Sequence, residues 1–128
     1  MDKAAGRGST KAIGDDAESL ALAWLQRQGL VLVQRNYRLA GGPYARGAEI
    51  DLILRERDGT LVFVEVRARA SAGHGGALAS VDARKQQRIV RAAQHYLLRL
   101  PSLPPCRFDV VGLDGGRISW VKAAFDAG

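Results

Sequence analysis

Three carboxylates sit inside two strand-like apolar runs, and charges placed there need a chemical reason. Glu49 and Asp51 belong to Glu49-Ile50-Asp51-Leu52-Ile53-Leu54, and Glu65 to Val62-Phe63-Val64-Glu65-Val66-Arg67. An unpaired charge is costly away from water. In a strand, residues i and i+2 share a face. That groups Glu49 with Asp51, and Phe63 with Glu65, Arg67 and Arg69, while Val62, Val64 and Val66 point the other way. The connection decides whether the two acidic faces coincide. A two-residue turn at Asp58-Gly59 would set Asp51 opposite Val66, on the other face from Glu65. A three-residue loop, Arg57-Asp58-Gly59, pairs Glu56 with Thr60, Asp51 with Glu65 and Glu49 with Arg67. Gly59 can supply the left-handed residue of such a loop, and this second register is the expected one. It puts Asp51 and Glu65 roughly 5 Å apart at Cβ, where each raises the other's proton affinity. A divalent cation removes that repulsion. Mg2+ (or Mn2+) fits best, being a hard ion that takes carboxylate, water and phosphate oxygens. Such an ion polarises a phosphate oxygen, activates water and orients in-line attack.

The elements that must hold these residues follow from pattern. Residues 1–13 read as a polar N-terminal tail. Asp15–Gln28 carries Ala17, Leu20, Ala21, Trp24 and Leu25 at helical spacing, stopped by Gly29. Leu30–Arg38 reads as a strand and Ala40–Gly47 as a loop. The two acidic strands follow, then a small-residue loop, Ser71–Ser80, containing His74. Asp82 is a plausible N-cap for a long helix to Leu100, with Ile89, Ala92, Ala93, Tyr96 and Leu97 on one stripe. Two more strands, Arg107–Leu113 and Arg117–Lys122, flank Asp114-Gly115-Gly116. The order is α-β-β-β-α-β-β: a single α/β domain over residues 14–128, a mixed central sheet flanked by helices. Strand 3, the long helix and strand 4 form a crossover between parallel strands.

Composition narrows the partners. The 128 residues suffice for one core. The single cysteine, Cys106, excludes an internal disulfide and a multi-cysteine zinc site. With no apolar signal region and no long apolar span, a cytoplasmic location away from membranes is expected. The net charge of +6, nearly all from arginine, suits nucleic acid. Arg84, Arg88 and Arg91, with Lys85, give the long helix a basic flank for phosphate contacts.

The ordered set of residues resembles a known family. Glu49-x-Asp51, a hairpin, then Glu65-x-Arg67 resembles the PD-(D/E)xK nuclease core. The match is closer to the YraN-like bacterial family, predicted endonucleases related to archaeal Holliday-junction resolvases. It rests on Gly14-x-x-x-Glu18, Glu49-Ile50-Asp51-Leu52-Ile53, Phe63-Val64-Glu65-Val66 with Arg69, Lys85, and Arg107-Phe108-Asp109-Val110-Val111. The resemblance implies a restriction-endonuclease-like fold and metal-dependent hydrolysis of DNA, with branched or structured DNA among the candidate substrates. It implies metal ligation by Asp51, Glu65 and the backbone carbonyl of Val66, with Glu18 reaching in from the first helix, and a homodimer by analogy. Nucleic-acid contacts are expected from Arg69, Arg84 and Arg88. One departure stands out: the pattern's lysine is Arg67. Arginine stays charged and cannot be a base at neutral pH, though it can bind the scissile phosphate. Proton removal would then fall to a metal-activated water or to Lys85, which lies one helical turn before Ile89 on the sheet-facing stripe.

Blander readings stand beside these. Asp51 and Glu65 could belong to an ion-pair ladder with Arg67 and Arg69, and Glu49 could bridge to Arg67. Asp109 suits a structural pairing with Arg107, and Trp24 and Trp120 suit the core. Three function classes follow: a metal-dependent nuclease, a non-catalytic nucleic-acid-binding module with a degenerate site, and a structural domain.

Overall fold

The computed structural model describes residues 10–69 and 76–128, with side chains from 16 to 68 and from 76 onward. In chain order the elements are α1 (Thr10–Arg27), β1 (Val31–Leu39), β2 (Ala48–Arg55), β3 (Leu61–Arg69), α2 (Gly76–Ala79), α3 (Ala83–Leu97), β4 (Cys106–Asp114) and β5 (Arg117–Phe125). Two boundaries differ from expectation. Helix α1 starts at Thr10, so residues 10–13 belong to a helix rather than a tail, and residues 1–9 lie outside the described part. Within the expected small-residue loop, residues 76–79 form α2; residues 71–75, with His74, lie outside. The short helix rests on Gly112, where an added Cβ would come within 2.4 Å of Ala77 Cβ.

The five strands form one mixed sheet in sequential order. Only β3 and β4 run parallel, joined across α3; the other neighbours are antiparallel. Helices cover both faces, which is why β2 and β3 read as near-continuous apolar runs rather than strict alternation. On one face, Tyr37, Phe63, Phe108 and Val110 pack with Ile89 and Tyr96 of α3. Phe63 stacks on Phe108 with centroids 5.4 Å apart, and Phe108 on Phe125 at 5.1 Å. On the other face, Leu52, Leu54, Val62, Val64 and Val111 pack against Ala21 and Leu25 of α1. Trp24 meets Trp120 edge-on there, at 5.4 Å. Truncating a buried aromatic such as Phe63 would cost about 3–5 kcal/mol.

Helix α3 begins as its sequence requires. Asp82 is extended, and its carboxylate accepts from the Lys85 backbone N–H at 2.9 Å. The cap fixes where the first turn starts and therefore where Lys85 points.

The β2–β3 register is the three-residue-loop one. Arg55 pairs with Leu61 and Leu52 with Val64. The Glu56 N–H donates to the Thr60 carbonyl, and Gly59 takes φ +94°. Pairing then stops at Leu52–Val64. Beyond it β2 stays with β1 as far as Ala48–Leu39, while β3 stays with β4 as far as Arg69–Asp114. The sheet forks here, and Asp51 is the first residue of β2 inside the fork.

Candidate carboxylate site in the sheet fork

Asp51 occupies the place a ladder hydrogen bond would otherwise take. Its Oδ2 accepts from the Val66 backbone N–H at 2.8 Å, holding the parted strands together through a side chain. The register one step beyond Leu52–Val64 sets Asp51 opposite Glu65, and their carboxyls lie within hydrogen-bonding reach. Glu65 is nearly sealed from solvent, at 3% exposure. Burial, followed by the charge on Glu65, pushes the Asp51 carboxyl up to about 8; Glu18 adds to the rise and the Val66 N–H opposes it. Near neutrality the pair therefore retains a proton that two solvated carboxylates would have lost.

Two cations balance Glu65 from its other side. Its Oε2 lies 3.1 Å from Arg67 Nη1 and 3.5 Å from Lys85 Nζ. Oε1 is buried and has no donor. The Arg67 guanidinium is committed at every nitrogen: Nε donates to Ser80 Oγ at 2.9 Å, Nη2 to the Ser80 carbonyl at 3.5 Å, and Nη1 to Glu65. Ser80 is itself anchored by donating to the Ala77 carbonyl at 2.6 Å. Arg67 thus braces Glu65 against the α2–α3 turn.

Glu49 departs from expectation. It does not meet Arg67; it pairs with Arg38, Nε to Oε2 at 3.4 Å. The cause is a break in strand alternation. Ile50 and Ile53 both pack in the α3 layer although Leu52 faces α1, so Glu49 and Asp51 do not share a face as strict period two requires. Opposite the break, between the pairs Arg35–Leu52 and Tyr37–Ile50, sits Asn36 with φ +54°, a left-handed conformation that asparagine tolerates better than most side chains. With its amide turned to satisfy its neighbours, Asn36 donates to Glu18 Oε1 at 3.1 Å and to Glu49 Oε2 at 2.9 Å. Arg35 Nη2 stands 3.6 Å from Glu18 Oε1. Glu18 therefore lies at the edge of the cluster, near enough to Asp51 to influence its charge.

The basic residues divide. Arg88 and Lys85 line an open groove beside the carboxylates. Arg84 is exposed on α3 and does not line that groove. Arg69 ends β3, but its side chain lies outside the described part. Asparagine in an apolar strand was a signal for Asn36; Ser80, Arg38 and Arg46 left no pattern that would have marked them.

Asp51 and Glu65 supply oxygen-only donors of the type Mg2+ and Mn2+ prefer. A cation between the two carboxylates would relieve both the donorless Glu65 Oε1 and the raised proton affinity of Asp51. Among the described residues, no three Asp, Glu, His or Cys side chains are grouped closely enough to hold a metal by themselves. The donor set fits an ion that keeps much of its shell as water and phosphate.

Comparison with known proteins gives a consistent picture. The model of the "Uncharacterised protein family UPF0102" matches residues 17–113. The UPF0102 protein of Methylibium petroleiphilum is 67% identical over 119 residues, covering 93% of this chain and 98% of the relative. That of Paracidovorax citrulli is 61% identical over 125 residues, covering 98% and 90%. That of Cupriavidus metallidurans is 59% identical over 120 residues, covering 94% and 85%.

Proposed function

The chain belongs to the UPF0102 family, and we propose that it is a metal-dependent endonuclease acting on DNA, branched or structured DNA included. One observation carries the reading: a buried, under-donated carboxylate pair, Asp51 and Glu65, set in a sheet fork beside a basic groove. The family resemblance to PD-(D/E)xK nucleases supports it, as does the mixed sheet with helices on both faces. Among the described residues, no helix is long and apolar enough to cross a membrane.

In this reading Asp51, Glu65 and the Val66 backbone carbonyl hold the ion. When bound, Mg2+ or Mn2+ supplies Lewis-acid polarisation of the phosphoryl group. The chain's own residues do the rest. Binding of the ion would release the proton that Asp51 holds, so affinity for the ion would rise with pH. Arg67 positions Glu65 and stays charged throughout. Its three nitrogens face Glu65 and Ser80, which leaves two of its five N–H groups, together with Lys85, for the scissile phosphate. Lys85 reaches Glu65 with Nζ and also lines the groove, which lets it bridge carboxylate and phosphate. Glu18, beside Arg35 and Asn36, adds to the negative field around Asp51.

The test is cleavage of supercoiled, single-stranded and four-way-junction DNA with Mg2+ or Mn2+, using Asp51→Asn as control. Cleavage by the wild type that disappears in the variant supports the proposal. Cleavage that persists in the variant points to a contaminant. Salt-sensitive binding without cleavage would replace the proposal with a non-catalytic nucleic-acid-binding module.

A further inference from the structure

The groove beside the carboxylates is built from three separate parts of the chain, and its charge is one-sided. Arg38 comes from β1, Arg46 from the β1–β2 loop, and Lys85 and Arg88 from α3; Glu49 is its one acidic lining residue, Ile89 part of its floor. It is open and encloses ≈ 400 Å³. Two of the four cations are already balanced, Arg38 by Glu49 and Lys85 by Glu65. Among the described residues, neither Arg46 nor Arg88 has a carboxylate within ion-pair distance.

The loop that presents Arg46 is held in shape. Gly42 and Ala45 form a two-way bridge. At Gly41 a Cβ would stand 2.8 Å from the Gly47 backbone N, so the loop closes tightly only without a side chain there. Arg91 of α3 donates to the Arg46 carbonyl, tying the loop to the helix that forms the opposite wall. A fixed wall carrying an unbalanced arginine, facing another across an open groove, is preorganised for an anion.

We infer that this groove binds the phosphodiester backbone of a nucleic-acid strand, with Arg46 and Arg88 taking phosphates and Lys85 marking the end nearest Asp51 and Glu65. This rests on the proposed nucleic-acid function and assigns that function a surface. A strand fits better than a small anion: the cations come from opposite walls of an open groove rather than converging in a closed pocket. Arginine's planar fork also matches phosphate oxygens in pairs.

The experiment measures binding without cleavage. A fluorescently labelled oligonucleotide is titrated in EDTA across a salt series against wild type, the double variant Arg46→Glu/Arg88→Glu, and a control, Arg27→Glu/Arg117→Glu, with the same charge change on distant exposed positions. The neutral pair Arg46→Gln/Arg88→Gln is carried beside them, and circular dichroism confirms that each variant folds. The groove variant should bind about tenfold or more weakly than the control at moderate salt. The salt slope of the neutral pair should fall by about two relative to wild type, one per lost phosphate contact. Equal weakening in groove and control variants overturns the inference. So does inorganic phosphate binding that depends on Arg46 and Arg88 while the oligonucleotide does not bind. Groove-dependent binding by a wild type that never cleaves DNA upholds the groove and removes the nuclease reading. Cleavage by a protein whose binding ignores the groove upholds the nuclease and removes the groove.

Discussion

Two carboxylate sites lie inside this sheet, and they are built on opposite principles. Asp109, fully buried, is surrounded by donors: Arg107 Nε reaches both of its oxygens at 3.0 and 3.2 Å, and Arg107 Nη2 lies at 3.2 Å. Trp120 Nε1 lies at 2.8 Å and the Ala123 backbone N–H at 2.9 Å. Arg107 is held in turn by Glu56 at 2.6 Å. Two strands away, on β2, Asp51 receives a single backbone N–H and faces another acid. The first site is saturated, so a ligand would find nothing to satisfy. The second is held short of donors by the surrounding fold, which is the condition for binding a cation. Burial alone does not mark a functional acid; the balance between burial and donors does.

Breaking the saturated site should have the largest effect. Asp109→Ala would remove the buried acceptor shared by Arg107, Trp120 Nε1 and the Ala123 N–H and leave Arg107 with Glu56 alone, lowering stability by about 3–5 kcal/mol. Urea unfolding measures it, and a loss below about 1 kcal/mol would refute a structural role. The other site should answer to metal. Mn2+ at about a hundredfold over its dissociation constant should raise stability by roughly 2.7 kcal/mol. The rise in melting temperature at a fixed Mn2+ concentration should be greater at pH 8 than at pH 6, because the proton competes with the ion. An equal rise in Asp51→Asn would place the ion elsewhere.

The pH dependence should show itself at Asp51. Between the usual carboxylate range and about pH 8, the folded protein holds the Asp51 proton more tightly than the unfolded chain does. Stability contributed by this group is therefore present at low pH and falls as pH rises through about 8. Asp51→Asn keeps an oxygen for the Val66 N–H and removes the repulsion. In metal-free buffer it should stabilise the protein by about 1–2 kcal/mol at pH 8, with the gain fading by pH 5. The solvent contact that Asp51 keeps holds the gain to this size. Destabilisation at pH 8 would contradict the shared-proton picture. The smallest effect is expected at the rim. Glu49→Gln breaks an exposed pair with Arg38 and should change stability by less than about 0.5 kcal/mol in thermal melts.

Much of this architecture was legible because it is local. Gly59 and the spacing from Glu56 to Thr60 set the hairpin register, and the register sets Asp51 against Glu65. Asp82 set the start of α3 and hence the direction of Lys85. The apolar runs of β2 and β3 announced burial on both faces. The site's surroundings were less legible. Glu49 was placed by strict alternation, and alternation fails at the fork. Arg67 was read both as a phosphate contact and as an ion-pair partner of the acids; it pairs with Glu65, and its other partner, Ser80, lies 13 positions away with no motif of its own.

The sequence by itself narrowed the hairpin to two registers and, through Gly59, favoured the one in which two acids meet, since turn residues and a period of two are properties of a few consecutive residues. Only the tertiary structure decided what those acids would lack and what would stand beside them. Donor supply at Glu65 depends on where β2 leaves β3, on the left-handed Asn36 in β1, and on α2 and α3 delivering Ser80 and Lys85. Those are contacts between segments far apart in the chain, fixed by packing both faces of one sheet at once.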